Sequence, residues 1–170
     1  MVTPVVLPAS PAWIERVKEK ALTNMKQHGS CTQSILAAFM EELGLRDGLV
    51  LRAAGALHGG MLYSLTCGVH AGAAMVLGLL IGRERLEQGM DGLFPITGPA
   101  QELVKRLNRR LGSSSCRELT GVDFADLEAA FRFYASKDHE KCFERVVQGT
   151  EETALLLKEL GEQGQLFRTE

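Results

Sequence analysis

Four cysteines, Cys31, Cys67, Cys116 and Cys142, are the residues whose type and placement could carry chemistry in this chain. Three of them follow a residue suited to capping a helix. In SCTQ, Ser30 and Gln33 form an S-x-x-Q capping box that puts Cys31 at the first helical position; in SCREL, Ser115 and Glu118 do the same for Cys116. Thr66 stands before Cys67 in the same relation, and Cys142 falls in the first or second turn of the last helix. The first turn of a helix exposes unpaired N–H groups and the positive end of the dipole, and both favour a thiolate over a thiol. Arg117 beside Cys116 and Lys141 beside Cys142 would add to this if they face the sulfur. Cys67 is the expected attacking thiolate, because Gly68 leaves its sulfur open and His70 shares the first turn. Cys31 or Cys116 is then its disulfide partner and Cys142 a further resolver.

A thiolate is also a ligand for soft metals, so the same four cysteines are candidate ligands for zinc or an iron–sulfur cluster. The spacings of 36, 49 and 26 residues match no local zinc or ferredoxin signature, though a site assembled by the fold stays open. His139 lies three residues before Cys142 at a metal-ligand spacing, within a stretch, SKDHEK, that reads first as a polar helix start. His70 is a candidate thiol base or haem ligand, with a buried core histidine as the competing reading. His58, before Gly59 and Gly60, reads as structural or as a surface turn. No C-x-x-C occurs, which excludes a thioredoxin-type dithiol and a c-type haem attachment site. G-x-G-x-x-G, P-loop and serine-nucleophile motifs are absent as well.

The elements that must position these residues read as helices. Ser10 and Pro11 open a first helix, with Trp13, Ile14, Val17 and Ala21 on one face, that stops near Gly29. A second runs from about Cys31 to Leu43, and a short third covers about Gly48 to Leu57. A fourth, from Cys67 to about Gln88, carries Gly68, Gly72, Gly78 and Gly82 along a smooth side; it is the expected central helix. MDGLFPITGP is the one clear loop, and Thr97 and Pro99 open a fifth helix to Leu111. Two more cover Asp123–Ala135 and Asp138–Leu160, with a short turn near Cys116 before them. The expected architecture is one all-α domain, a bundle of six or seven helices, with loosely ordered tails over 1–9 and 162–170.

The chain has 170 residues, 45% hydrophobic and 24% charged, with a formal net charge of −2. That length supports one self-sufficient core, and the charge gives no reason to expect nucleic acid or an anionic membrane as partner. The longest apolar run, Val69 to Ile81, is shorter than a bilayer span. The start MVTPVVLPASPAW lacks the basic region and apolar core of a secretory signal. A cytoplasmic protein with reduced thiols is expected. Lys105, Arg106, Arg109 and Arg110 read as a solvated face of the fifth helix.

The succession of SCTQSILAAFMEELGL, HGGM, TCGVHAGAAMVLGLLIGR, SSSCREL and CFERVV resembles the C-GCAxxG-C-C family of redox-active proteins, over about residues 25–160. The resemblance implies an all-helical fold and thiol-based redox chemistry or cofactor binding, with Cys31, Cys67, Cys116 and Cys142 as the matching cysteines. Members with selenocysteine at a cysteine position favour redox chemistry, and a similar haem-containing cytochrome adds haem to the implied cofactors. Val69 and His70 depart from the family's small or apolar positions. The leading expectation is a thiol–disulfide redox protein, a candidate oxidoreductase acting through a reversible disulfide. It would need no cofactor and would meet a redox partner protein or a small thiol; a homodimer stays open. The alternatives are a metal, iron–sulfur or haem binding module, and a helical interaction protein with incidental thiols.

Overall fold

The computed structural model describes residues 2–4, 7 and 10–169. Its helices are α1 (Pro11–His28), α2 (Cys31–Glu42), α3 (Gly48–Ala53), α4 (Gly68–Ile81), α5 (Gly89–Leu111), α6 (Cys116–Thr120), α7 (Leu127–Ala135) and α8 (Glu140–Glu162). Six of them have nine residues or more, and the fold is all-α. One extended feature joins the ends: Val2–Pro4 pairs antiparallel with Phe167–Thr169. No helix among the described residues is long and apolar enough to cross a membrane.

Local chemistry sets the helix ends. The Ser10 hydroxyl accepts from the Trp13 N–H, Pro11 occupies the first position, and Gly29 closes α1 in the left-handed region at φ 74°. α1 then buries Trp13, Val17, Ala21 and Met25, with Trp13 edge-on to Phe39 of α2 at 6.0 Å between ring centroids. α4 packs against α2, α5 and α8, so it does lie at the centre, and it shares that place with α8, which also touches α1. The smooth side of α4 is confined to its first turns. A Cβ at Gly72 would stand 2.7 Å from the Thr32 carbonyl oxygen of α2, whereas one at Gly78 would meet nothing within 4 Å, and Gly82 is already the C-cap.

Several boundaries differ from the sequence reading. α4 ends at Ile81, and the expected loop at residues 90–99 is helical: α5 runs unbroken through Pro95 and Pro99. Each proline removes one intrahelical hydrogen bond. This stretch is largely exposed, so water can take up the carbonyls left over at Asp91 and Pro95. The basic stretch of α5 is not merely solvated. Arg106 makes a two-pronged pair with Glu159 of α8, at 2.8 and 2.7 Å, and Arg110 reaches Glu151 at 3.3 Å.

Between α3 and α4 the backbone makes a turn of unusual hand. Gly59, Gly60, Met61 and Leu62 all lie in the left-handed region, with φ of 58°, 64°, 60° and 54°, and Ser64 follows at 60°. A residue with a Cβ loses about 1–2 kcal/mol there. The turn is held from outside: the Ser64 hydroxyl donates to the Val122 carbonyl at 2.8 Å and accepts from the Phe124 N–H at 2.7 Å. Gly60 cannot be larger, because a Cβ there would stand 2.5 Å from the Leu65 nitrogen and 2.8 Å from the Cys116 Cβ. Met61 is more than half exposed and has little packing to lose. Met61→Gly is therefore expected to raise stability by about 0.5–1 kcal/mol, relief of strain exceeding glycine's entropy cost. A urea titration reads this, and a lowered midpoint would show that the Met61 side chain contributes more than its conformation costs.

Candidate functional site

Each cysteine sits at the start of a helix. Ser30 accepts from the Gln33 N–H at 3.3 Å and sets Cys31 as the first residue of α2. Ser115 accepts from the Glu118 N–H at 3.2 Å and sets Cys116 as the first residue of α6. The return half of the second box is relayed, since Ser115 N–H donates to the Ser113 hydroxyl, which donates to Glu118. Cys142 is the third residue of α8. Cys67 differs from expectation: it occupies the cap position of α4 itself, and Thr66 is drawn into an isolated antiparallel bridge with Ser115. In that bridge Cys67 N–H donates to the Ser114 carbonyl at 2.7 Å and Cys116 N–H to the Leu65 carbonyl at 2.6 Å. Alternation along paired extended segments turns Cys67 and Cys116 to the same side.

The four thiols come together. Cys31, Cys67, Cys116 and Cys142 line one small cavity of about 30 Å³ and all four are free. Gly68 makes this convergence possible, because a Cβ on it would stand 2.3 Å from Cys31 Sγ and 2.6 Å from Thr32 Oγ1. Phe124, Phe133 and Tyr134 give the wall an aromatic side. Phe124 and Phe133 meet edge-on at 5.6 Å, and His139 packs against Tyr134 and Phe143 at 5.0 Å each.

Burial reverses the charge state expected at Cys67. The Val69 N–H at the helix start does favour its thiolate, but loss of solvent dominates and the neighbouring Cys31 opposes a second negative charge; the Cys67 thiol is pushed up to about 12. Cys116 is likewise pushed up to about 12, first by burial and then by Cys31. Cys31 is raised by burial against N–H donors of Gly59, Thr32 and its own backbone. As a residue it keeps some exposure, yet its sulfur faces inward against Gly68. Cys142 is raised by burial and by Cys31, with Arg145 opposing. The expected cations are elsewhere: Arg117 pairs with Asp123 at 2.8 Å and Lys141 with Asp138 at 2.8 Å.

The histidines divide. His70 does not line the cavity; it is buried between α4 and α5 with Nε2 3.0 Å from Asn108 Oδ1, and burial lowers its pKa. This places it away from the thiols it was expected to serve. His139 does line the cavity, as does His58, which the sequence reading left as structural. Burial lowers the pKa of both, and His58 Nδ1 and His139 Nε2 have no hydrogen-bond partner among the described residues. Arg145 is the other residue the sequence reading missed. Its signal was CFER, three residues on from Cys142 and hence on one helix face.

A family model described as "Putative redox-active protein (C_GCAxxG_C_C)" matches residues 30–157. The chain belongs to this family. No curated protein and no solved structure matches the chain. The matched span of the C_GCAxxG_C_C protein contains all four cysteines and the starts of the helices that carry them. A single metal ion and a haem both fit the described residues poorly. Among the described residues no three Cys, His, Asp or Glu side chains form a group able to hold one metal ion. A cavity of about 30 Å³ is far below the 300–1,000 Å³ typical of cofactor clefts, so a porphyrin has no room in it.

Proposed function

We propose that this C_GCAxxG_C_C protein is a thiol–disulfide redox protein in which two of the four cavity cysteines cycle between dithiol and disulfide. One cysteine attacks a disulfide of a partner protein or small thiol compound, and the partner's sulfur leaves as a thiolate that takes up a proton. A second cavity cysteine attacks the mixed disulfide, forming the internal disulfide and releasing the other partner sulfur. Two thiols of the chain have then given two electrons to the partner's disulfide. The remaining cysteines resolve other pairings or relay electrons.

The observation that carries this reading is the convergence of four free thiols, from α2, α4, α6 and α8, on one largely apolar cavity. Burial lowers the pKa of both histidines there, so they are neutral at neutral pH and put no charge beside the thiols. A merely structural thiol has no reason to gather three others from distant parts of a chain.

The reduced protein is to be titrated with oxidised glutathione, quenched in acid, and its cysteine pairs mapped by mass spectrometry. Free thiols should disappear in twos, as intramolecular disulfides among Cys31, Cys67, Cys116 and Cys142, and return with a dithiol reductant. Glutathione adducts on single cysteines without any internal disulfide would overturn the proposal.

A further inference from the structure

We infer that Arg145 is the residue that favours Cys142, over the other three cysteines, as the one to ionise and attack, so that a partner's disulfide is engaged there first. The role rests on the thiol–disulfide reading above; the thiolate itself does not.

The geometry is specific. Arg145 lies three residues beyond Cys142 on α8, with Nη1 3.8 Å from Cys142 Sγ. Its Nη2 donates to the Leu119 carbonyl of α6 at 2.6 Å, which fixes the guanidinium between the two helices. No ion pair involving Arg145 occurs among the described residues. Among the described residues it is the one arginine or lysine on the cavity wall, and no Asp or Glu lines that wall. Its charge is therefore free to favour an anion, and the nearest candidate is sulfur.

Other groups face Cys142 from every side. Cys31 comes from α2 and Cys116 from α6, and a negative charge on Cys31 disfavours one on Cys142. Cys67 and Tyr134 are protonated at neutral pH, each pushed up to about 12 by burial. His58 and His139 are held neutral. Arg145 alone thus favours the anion over the whole neutral range. It also favours a Cys116 thiolate, but Cys116 is only 5% exposed, whereas Cys142 keeps partial exposure. Partial exposure with an adjacent cation is the setting of a reactive cysteine.

In the first step the Cys142 thiolate forms a bond to one sulfur of the partner's disulfide. The S–S bond breaks, and the second partner sulfur departs with the electron pair and takes a proton. Cys31, the neighbouring thiol, then attacks Cys142 Sγ: a Cys31–Cys142 bond forms, the bond to the first partner sulfur breaks, and that sulfur leaves with the electron pair and takes up the proton that Cys31 gives up.

Rates of iodoacetamide alkylation at each cysteine, followed by peptide mass spectrometry across pH, test the inference in the reduced protein. Cys142 should be modified first. Arg145→Gln should slow Cys142 about tenfold at pH 7 and move its inflection upward by about one unit, as loss of an adjacent opposite charge does. Arg145→Lys keeps a positive charge beside the sulfur and should keep most of the wild-type rate. Gln retains an N–H for the Leu119 carbonyl, so a purely structural role would leave its profile unchanged. That result, or another cysteine reacting first in the wild type, overturns the inference. If Arg145→Gln fails to fold, Arg145→Lys decides: a folded Lys variant slowed tenfold at Cys142 also overturns it. Failure of disulfide formation with these profiles intact would count against the redox reading alone.

Discussion

Cys67 and Cys116 should resist iodoacetamide at pH 7 by roughly a thousandfold relative to a free thiol in the native, reduced protein. Both thiols are pushed up to about 12, against about 8.5 for a free cysteine, so their thiolate fraction at neutral pH is smaller by about three orders of magnitude. Limited access to two residues with 7% and 5% exposure adds to the effect. Unfolding in urea should abolish the protection. The same shifts link stability to pH. A folded state that binds these protons more tightly than the unfolded chain is fully stabilised below the unfolded thiol value of about 8.5. That stabilisation is lost as pH rises through about 12, and the Tyr134 phenol, also pushed up to about 12, acts in the same direction. The urea midpoint should therefore fall steadily above about pH 9. Alkylation of Cys67 at a free-thiol rate, or a flat midpoint up to pH 11, would contradict the burial of these thiols.

Gly72→Ala and Gly78→Ala should change stability in opposite directions, although both lie in α4. At Gly72 the new Cβ would stand 2.7 Å from the Thr32 carbonyl oxygen and 3.2 Å from the Thr32 Cα. These are backbone atoms of the helix that carries Cys31, so α2 itself must move. Overpacking of this kind costs about 1–3 kcal/mol and outweighs the roughly 1 kcal/mol that alanine gains over glycine in a helix. At Gly78 nothing lies within 4 Å, so only the gain remains. The expected result is a net loss for Gly72→Ala, a gain of up to about 1 kcal/mol for Gly78→Ala, and altered alkylation at Cys31 only in the first. Equal midpoints for the two variants would show that α2 and α4 are not held at the approach described.

Much of the frame was legible because it depends on near neighbours. The caps at Ser30 and Ser115 act over three residues, and so Cys31 and Cys116 open their helices as read, although the Gln33 side chain turns to the Leu51 carbonyl instead of completing a box. The register of α1 follows from the spacing of Trp13, Val17 and Ala21 in the same local way. Arguments from adjacency failed where a helix turns neighbours apart. Arg117 and Lys141 adjoin their cysteines in sequence but point to Asp123 and Asp138, because residues one apart on a helix do not share a face. Arg145, three residues from Cys142, does share one, and its side chain is drawn inward by the Leu119 carbonyl on α6. Pro95 and Pro99 misled in the opposite sense, since their breaking signal is weak where water can satisfy the freed carbonyls.

The amino-acid sequence by itself determined that the chain folds from helices and that its cysteines open them. It also placed in one order the four thiols that mark the C_GCAxxG_C_C family. Only the tertiary structure decided that those helix starts meet around one cavity and that His58, His139 and Arg145 join them there while His70 does not. It also decided the sign of the Cys67 shift. A helix start favours a thiolate through donors in its own first turn, and that much can be read locally. Desolvation depends on what the rest of the chain lays over the sulfur: here the left-handed turn before α4, the paired segment before α6 and the aromatic wall from α7. That covering is non-local, and at Cys67 it outweighs the helix.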